Sequence, residues 1–286
     1  MNPYEGFIQE FAQLIGRAKA SPLGGFAPPP SPPANSAAPR VLIFSPHPDD
    51  EVIIGGLALR LRRELGWHAI NVAVTQGSNR ARQEERWQEL AACCRHVGFD
   101  LLPTAPGGLE GINLKDRTGQ PEQWRDSVTC IAKILTAHRP RAILFPHDDD
   151  WNVTHIGTHH LLADALALCP REFSCLTVET EFWGDMRSPN LMIESSQRDV
   201  TDLVTALSFH VGEVRRNPYH LRLPAWMMDN VRRGGELVGG QGAAAPDYLF
   251  ATLYRLRRWQ DGFFAPVLPR GLFLSQHDDL RTVFQA

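Results

Sequence analysis

No stretch of this chain stays apolar for the roughly 18–20 residues that a membrane-spanning helix needs, so a membrane-embedded protein is not expected. The first residues, MNPYEGFIQEFAQL, carry two acids and no basic cluster, unlike a secretory signal. Charge of one sign is also lacking. With a formal net charge of −3 and a pI near 6.4, there is no global basic field to draw in nucleic acid or anionic membrane. The five cysteines are odd in number and form no CxxC pair, which points to buried, reduced thiols in a cytoplasmic protein. No internal repeat is visible.

What is present suits one large α/β domain: 286 residues, 43% of them hydrophobic. Residues 4–19 read as an amphipathic helix with Phe7, Phe11, Leu14 and Ile15 on one face. Residues 21–40 follow, and seven of those twenty are proline, which excludes a helix or a central strand. The division expected is therefore an N-terminal helix and Pro-rich linker over 1–40, and a single domain over 41–286. In that domain apolar runs of strand length (41–45, 69–75, 141–146, 175–183, 191–195) alternate with helical patterns (51–65, 80–97, 122–138, 155–168, 199–215). Residues 103–121 read as a loop. The tail reads as helical to about 238, and YLFATLYRL is open between strand and helix. Such alternation predicts a Rossmann-like open, mostly parallel sheet with helices on both faces, and a site at the carboxyl ends of its strands.

Two motifs fall at such ends. SPHPDDE, Ser45 to Glu51, directly follows the first strand and places His47, Asp49 and Asp50 within four residues around Pro48. A catalytic zinc needs three N or O ligands and one open position. Adjacent aspartates do not easily bind one ion together, which leaves one free as a base. The alternative is that Asp49 or Asp50 merely caps helix 51–65. The glycine fingerprint of dinucleotide sites and the GxxxxGKS phosphate loop are both absent after this strand, which weakens an oxidoreductase reading. The second motif is PHDDDWNVTHIGTHH, Pro146 to His160, after the strand RAILF. His155 and His159 share a helical face. His155 is the expected ligand, while His159 and His160 read rather as packing or surface residues. His147 reads as a loop residue or as a donor behind the ligands. The run Asp148–Asp150 reads as a solvated loop.

Taken together, SPHPDDEVIIGG and DWNVTHIGTH resemble the PIG-L/LmbE family of zinc-dependent N-deacetylases. Arg86 and Glu89, and PNLMIESS with the helix ending at His210, agree with the same family, so the resemblance runs from about Val41 to His210. It implies one zinc per chain held by His47, Asp50 and His155, with Asp49 as general base and Arg86 as a substrate-binding or site-ordering residue. It also implies an N-acylated substrate, such as an N-acetyl amino sugar, cleaved to free amine and acetate. Two positions depart from the family. Asn152 stands where relatives often carry a histidine, so Asn152, His210 or His159 is left to assist the transition state. Gly212–Glu213 replaces a usual Ser-Gln at the substrate rim. Rival readings are an amidohydrolase acting on a thiol conjugate or modified nucleoside, and a non-catalytic zinc or ligand-binding module, against which the second aspartate argues. Trp87, Trp151, Trp183 and Trp226 are candidates for a sugar-stacking rim or for the core.

Overall fold

A computed structural model describes residues 2–30 and 37–285. Part of the proline-rich stretch, residues 31–36, lies outside the described residues. The chain opens with α1 (Pro3–Ala18) and enters the sheet at β1 (Arg40–Ser45). Then come α2 (Asp50–Ile53), α3 (Leu57–Leu65), β2 (His68–Ala73), α4 (Gln83–Val97), β3 (Asp100–Pro103), α5 (Leu114–Gly119), α6 (Pro121–His138) and β4 (Ala142–Pro146). The second half holds α7 (Val153–Leu168), β5 (Cys175–Thr180), β6 (Leu191–Glu194), α8 (Gln197–Leu207), α9 (Val211–Arg216) and α10 (Tyr219–Gly239). It closes with β7 (Ala251–Gln260), β8 (Phe263–Pro266), β9 (Leu272–Leu274) and α11 (Arg281–Phe284).

The sheet runs β3-β2-β1-β4-β5-β7-β6-β9, with β8 on β7. The pairs β1–β2, β1–β4, β2–β3, β4–β5 and β6–β9 are parallel. β7 is antiparallel to β5, β6 and β8. β1 reads as an unbroken apolar run because both faces of its sheet are covered. Leu42 and Phe44 pack with Ile131, Leu135, Leu161 and Leu162 on one side. Val41 and Ile43 pack with Leu57, Leu61 and Leu90 on the other. Removing Phe44 at this depth would cost about 3–5 kcal/mol.

The expected helix 51–65 is two helices. At the break Gly55 has φ +84, and a Cβ there would lie 1.9 Å from Thr252 Oγ1, while one on Gly56 would lie 2.5 Å from Ser195 Oγ. The chain turns tightly against the ends of β6 and β7, and the Tyr254 hydroxyl seals the turn by donating to Ile54 O at 2.7 Å. The expected helix 199–215 likewise breaks at Ser208–His210 between α8 and α9. The stretch read as a loop over 103–121 contains α5, and β3 lies just before it as a short, half-exposed edge strand with no period-2 apolar signal. YLFATLYRL supplies much of β7, in the middle of the sheet.

The helix α1 forms close to its expected bounds, yet none of its residues is buried, and Phe7 is 62% exposed. The strap after it does dock. Gly24 N donates to Ser208 Oγ at 3.2 Å and the Phe26 ring meets Phe209 edge-on.

Candidate metal centre and its cavity

β1 and β4 are parallel neighbours, so Ser45 and Pro146 deliver their loops to one point at the sheet's carboxyl edge. The first loop is tied down as it leaves the sheet. Ser45 Oγ is 2.6 Å from Asn71 Oδ1, and Thr75 Oγ1 donates to Pro46 O at 2.7 Å. His47 comes from this turn, Asp50 opens α2, and His155 sits in the first turn of α7. Asp50 Oδ2 lies 3.3 Å from His47 Nδ1 and 3.3 Å from His155 Nε2. One donor atom from each of the three falls within 4.8 Å of the others. Two imidazoles and a carboxylate at this spacing have the chemistry and the reach to hold one divalent ion.

Asp150 explains how His155 is aimed. Its Oδ2 is 3.0 Å from His155 Nδ1, which leaves Nε2 turned toward Asp50. A carboxylate behind a ligating imidazole fixes both tautomer and ring orientation. The run Asp148–Asp150 is therefore not uniformly a solvated loop. Asp148 and Asp149 are exposed, but Asp150 is buried, and its Oδ1 also accepts Asn152 N at 2.7 Å. The sequence signal that could have found it is only its place five residues before His155. Burial opposes protonation of His155, but Asp50 and Asp150 outweigh it and push its pKa up to about 10. Burial likewise works against the charge of Asp50, yet His155 and His47 hold its carboxyl well below the usual range. The cluster draws positive charge to one point, as a cation site must.

Asp49 stands beside this cluster in an unusual backbone conformation, φ 116 and ψ −26, and its side chain makes no capping bond to α2. The simple N-cap alternative therefore fails. A non-glycine residue held there costs about 1–3 kcal/mol and persists only where its surroundings impose it. They do so through Glu51. Asp49 N donates to Glu51 Oε2 at 2.9 Å, and His210 Nε2 lies 2.7 Å from Glu51 Oε1. Burial raises the Asp49 carboxyl well above the usual range, and neighbouring Asp50 adds to this; His210 and Arg86 pull the other way.

His210 does not reach the substrate rim. It is fully buried, outside the cavity lining, and acts on Glu51. His159 is also corrected as a candidate for assisting the reaction. It is buried beneath the sheet edge, with Nδ1 3.0 Å from Pro146 O and 3.4 Å from Glu179. His147 is buried too, at 3.1 Å from Gly184 O, as a residue behind the ligands. Asn152 does line the cavity, and its Oδ1 caps α7 by accepting Thr154 N at 2.9 Å. Arg86 lines it as well and donates through Nη2 to Pro48 O at 2.9 Å, which braces the turn that carries His47 and Asp49.

The cavity measures about 760 Å³ and holds His47, Asp49, Asp50 and His155 in its wall. Trp151 and Trp183 also line it, and Trp183 stacks near Tyr219, with ring centroids 5.0 Å apart. Trp226 backs Trp183, and Trp87 packs against the core.

Residues 42–166 match the family described as PIG-L, GlcNAc-PI de-N-acetylase. Over that stretch the chain is similar to the PIG-L family. A search of curated proteins finds no match. Among solved structures, N,N'-diacetylchitobiose deacetylase from Pyrococcus horikoshii aligns at TM-score 0.55 and 16% identity, over 87% of this chain and 92% of that one. A deacetylase of teicoplanin biosynthesis aligns at 0.52 and 17%, over 78% and 99%. The 4-carboxy-2-hydroxymuconate hydratase of Pseudomonas putida KT2440 aligns at 0.54 and 16%, over 76% and 95%. At these identities the likeness is one of fold. The match to PIG-L spans both motifs, SPHPDDE and the stretch from Pro146 to His160.

Proposed function

We propose that this protein is a zinc-dependent N-deacetylase that cleaves the N-acetyl group of an amino sugar or sugar conjugate, releasing free amine and acetate. The observation that carries the reading is the convergence of His47, Asp50 and His155 on one point of a cavity wall that also holds Asp49. The fold alone does not choose the reaction, since the hydratase shares it. The family match and the second aspartate favour amide hydrolysis.

Zinc, held by His47, Asp50 and His155 at one ion per chain, would supply a Lewis acid that eases deprotonation of water and polarises the amide carbonyl. Asp49 takes the proton from the attacking water and returns it to the amine nitrogen as the C–N bond breaks. Asp49 shares the cavity wall with the three donors, as both halves of that transfer require. Glu51, backed by His210, keeps the Asp49 backbone in place. Asn152, at the cavity wall, is the neutral residue left to donate to the developing oxyanion. Trp151 and Trp183 offer faces for a sugar ring. The five cysteines form no disulfide, which fits a reducing compartment such as the cytoplasm.

The test is a panel of N-acetylated sugars and conjugates incubated with zinc-loaded protein, with free amine and acetate both measured. Equimolar appearance of the two supports the reading. Zinc-loaded, folded protein that releases neither from any sugar would overturn it. Release from acetylated thiols or nucleosides alone would keep the chemistry and move the substrate.

A further inference from the structure

None of the α1 residues is buried, although apolar side chains share one side of the helix. At the helical period Tyr4, Phe7, Ile8, Phe11, Leu14, Ile15 and Ala18 fall within about 120° of its circumference, the width of a stripe that normally faces a core. Tyr4, Phe7, Ile8, Phe11 and Leu14 are instead exposed, from 41% at Phe11 to 71% at Tyr4. Gly6 and Gly16 stand in the same helix, and a Cβ on either would meet nothing within 4 Å, so no close packing requires them. Each weakens an isolated helix. A helix of 16 residues that holds two such glycines is marginal alone in water, and its stripe calls for a partner.

The charges beside the stripe choose among partners. Glu5 and Glu10 precede Phe11, while Arg17 and Lys19 stand at the C-terminal end. The helical period sets Glu10 and Arg17 on one flank of the stripe and Glu5 and Lys19 on the other. Each flank therefore runs from acid to base. In an antiparallel two-fold pair each flank meets the same flank of its copy in reverse, so acid meets base on both sides. In a parallel pair acids would meet acids. A membrane surface fits less well. Interfacial helices carry an excess of Lys and Arg on the polar face, whereas two acids and two bases cancel here. Covering the exposed stripe in both copies would remove on the order of 1,000 Å² from water, at the lower end of specific interfaces.

We propose that α1 pairs antiparallel with α1 of a second copy of this chain, joining two domains through their straps. The strap returns to its own domain soon after α1, at Gly24 and Phe26, so the pair keeps the two domains close together. The pairing is independent of the chemistry in the cavity.

Sedimentation of the full chain from about 1 to 100 μM tests it, a range that brackets the micromolar Kd of a modest interface. The unaltered chain should pass from monomer to dimer across that range. Phe7→Glu together with Phe11→Glu should stay monomeric throughout with an unchanged denaturant midpoint, because neither ring is buried. Glu5→Lys with Glu10→Lys leaves only bases beside the stripe, and Arg17→Glu with Lys19→Glu leaves only acids. Each of these should dimerise about tenfold more weakly, as expected for several surface ion pairs acting together, and mixing the two should restore the affinity. Added salt should weaken the unaltered dimer. A dimer strengthened by salt would mean that like charges meet, and would overturn the antiparallel pairing. A chain that stays monomeric at the highest concentration, including one that instead binds vesicles of phosphatidylcholine and phosphatidylglycerol, would overturn the proposal. So would a dimer that survives Phe7→Glu with Phe11→Glu, or a mixture of the charge variants that binds no more tightly than either alone.

Discussion

One turn of α7 separates two histidines with opposite surroundings. His155 meets two carboxylates, Asp50 and Asp150, and among the described residues no arginine pairs with either. His159, one turn on, meets Glu179, which is already bound by Arg255 and Arg257 at 2.6 Å each, and Arg255 also reaches Asp148 at 2.6 Å. Both sets have ligand atoms within metal-binding reach of one another. The second is neutralised by the protein's own arginines, and burial drives the His159 pKa down. In the first, His155 is driven up to about 10. A histidine–carboxylate set calls for an external cation only where the chain supplies none. The i, i+4 spacing of the two residues is the same face of one helix, so only their neighbours distinguish them.

The sharpest way to break this comparison is at the tandem aspartates. Asp49→Asn should keep near-stoichiometric zinc and lose about 10²–10⁴-fold in turnover, the span for a lost general base. Asp50→Asn should lose the zinc itself. Metal analysis and acetate release on both variants decide it, and the opposite pattern of zinc retention would exchange the two roles. On the arginine side, Arg255→Leu should destabilise the fold by about 3 kcal/mol, because it leaves Glu179 with Arg257 alone. Denaturant titration reads this, and an unchanged midpoint would mean that the second cluster does not depend on Arg255.

A subtler comparison uses protons. With His155 raised to about 10, its ring is protonated in the metal-free protein at pH 7, and a metal must displace that proton. Zinc binding at pH 7 should release about one proton from this site, and affinity should fall as pH is lowered. Calorimetry in buffers of different ionisation enthalpy measures it, and no proton release would contradict the His155–Asp50 pairing. His159→Gln, by contrast, should leave zinc content unaltered and cost about 1 kcal/mol, the usual worth of one hydrogen bond. The smallest effect is expected from removing residues 1–20. None of the α1 residues is buried, so stability should stay within about 0.5 kcal/mol, as for other surface changes. Loss of soluble protein on that deletion would show that α1 belongs to the fold. The strap at Leu23–Phe26, docked on Phe209, is a different matter, and its removal should be felt near His210.

Much of the fold was legible because the signals were local. Apolar runs of strand length alternating with helical patterns give β1, β2, α6, β4 and α7 within a residue or two. The misreadings occur where distant contacts override local pattern. Residues 51–65 carry a helical pattern, but Thr252 and Ser195, some two hundred and one hundred and forty residues away, press on Gly55 and Gly56 and break it. β3 is too short and too exposed to announce itself. The proposed metal donors were legible because both motifs end strands and carry ligand side chains at tight spacing. Asp150 was not, because an acidic run in a loop reads the same whether solvated or buried. His210 was offered by resemblance as one residue to assist the reaction, whereas its burial against Glu51 depends on how α8 packs over α2.

By itself the sequence determined the alternating α/β order, the two strand-end motifs and the resemblance to a family, since these depend on residues near one another in the chain. Only the tertiary structure decided which histidine faces an unmatched carboxylate, that Glu51 rather than substrate receives His210, and that arginines from the α4 region and α9 meet at Glu213. The physical reason is that charge is settled by what comes within a few ångströms in space, in a setting where burial weakens solvent screening. Arg82 and Glu213 are 131 residues apart in the chain and 3.0 Å apart in the fold.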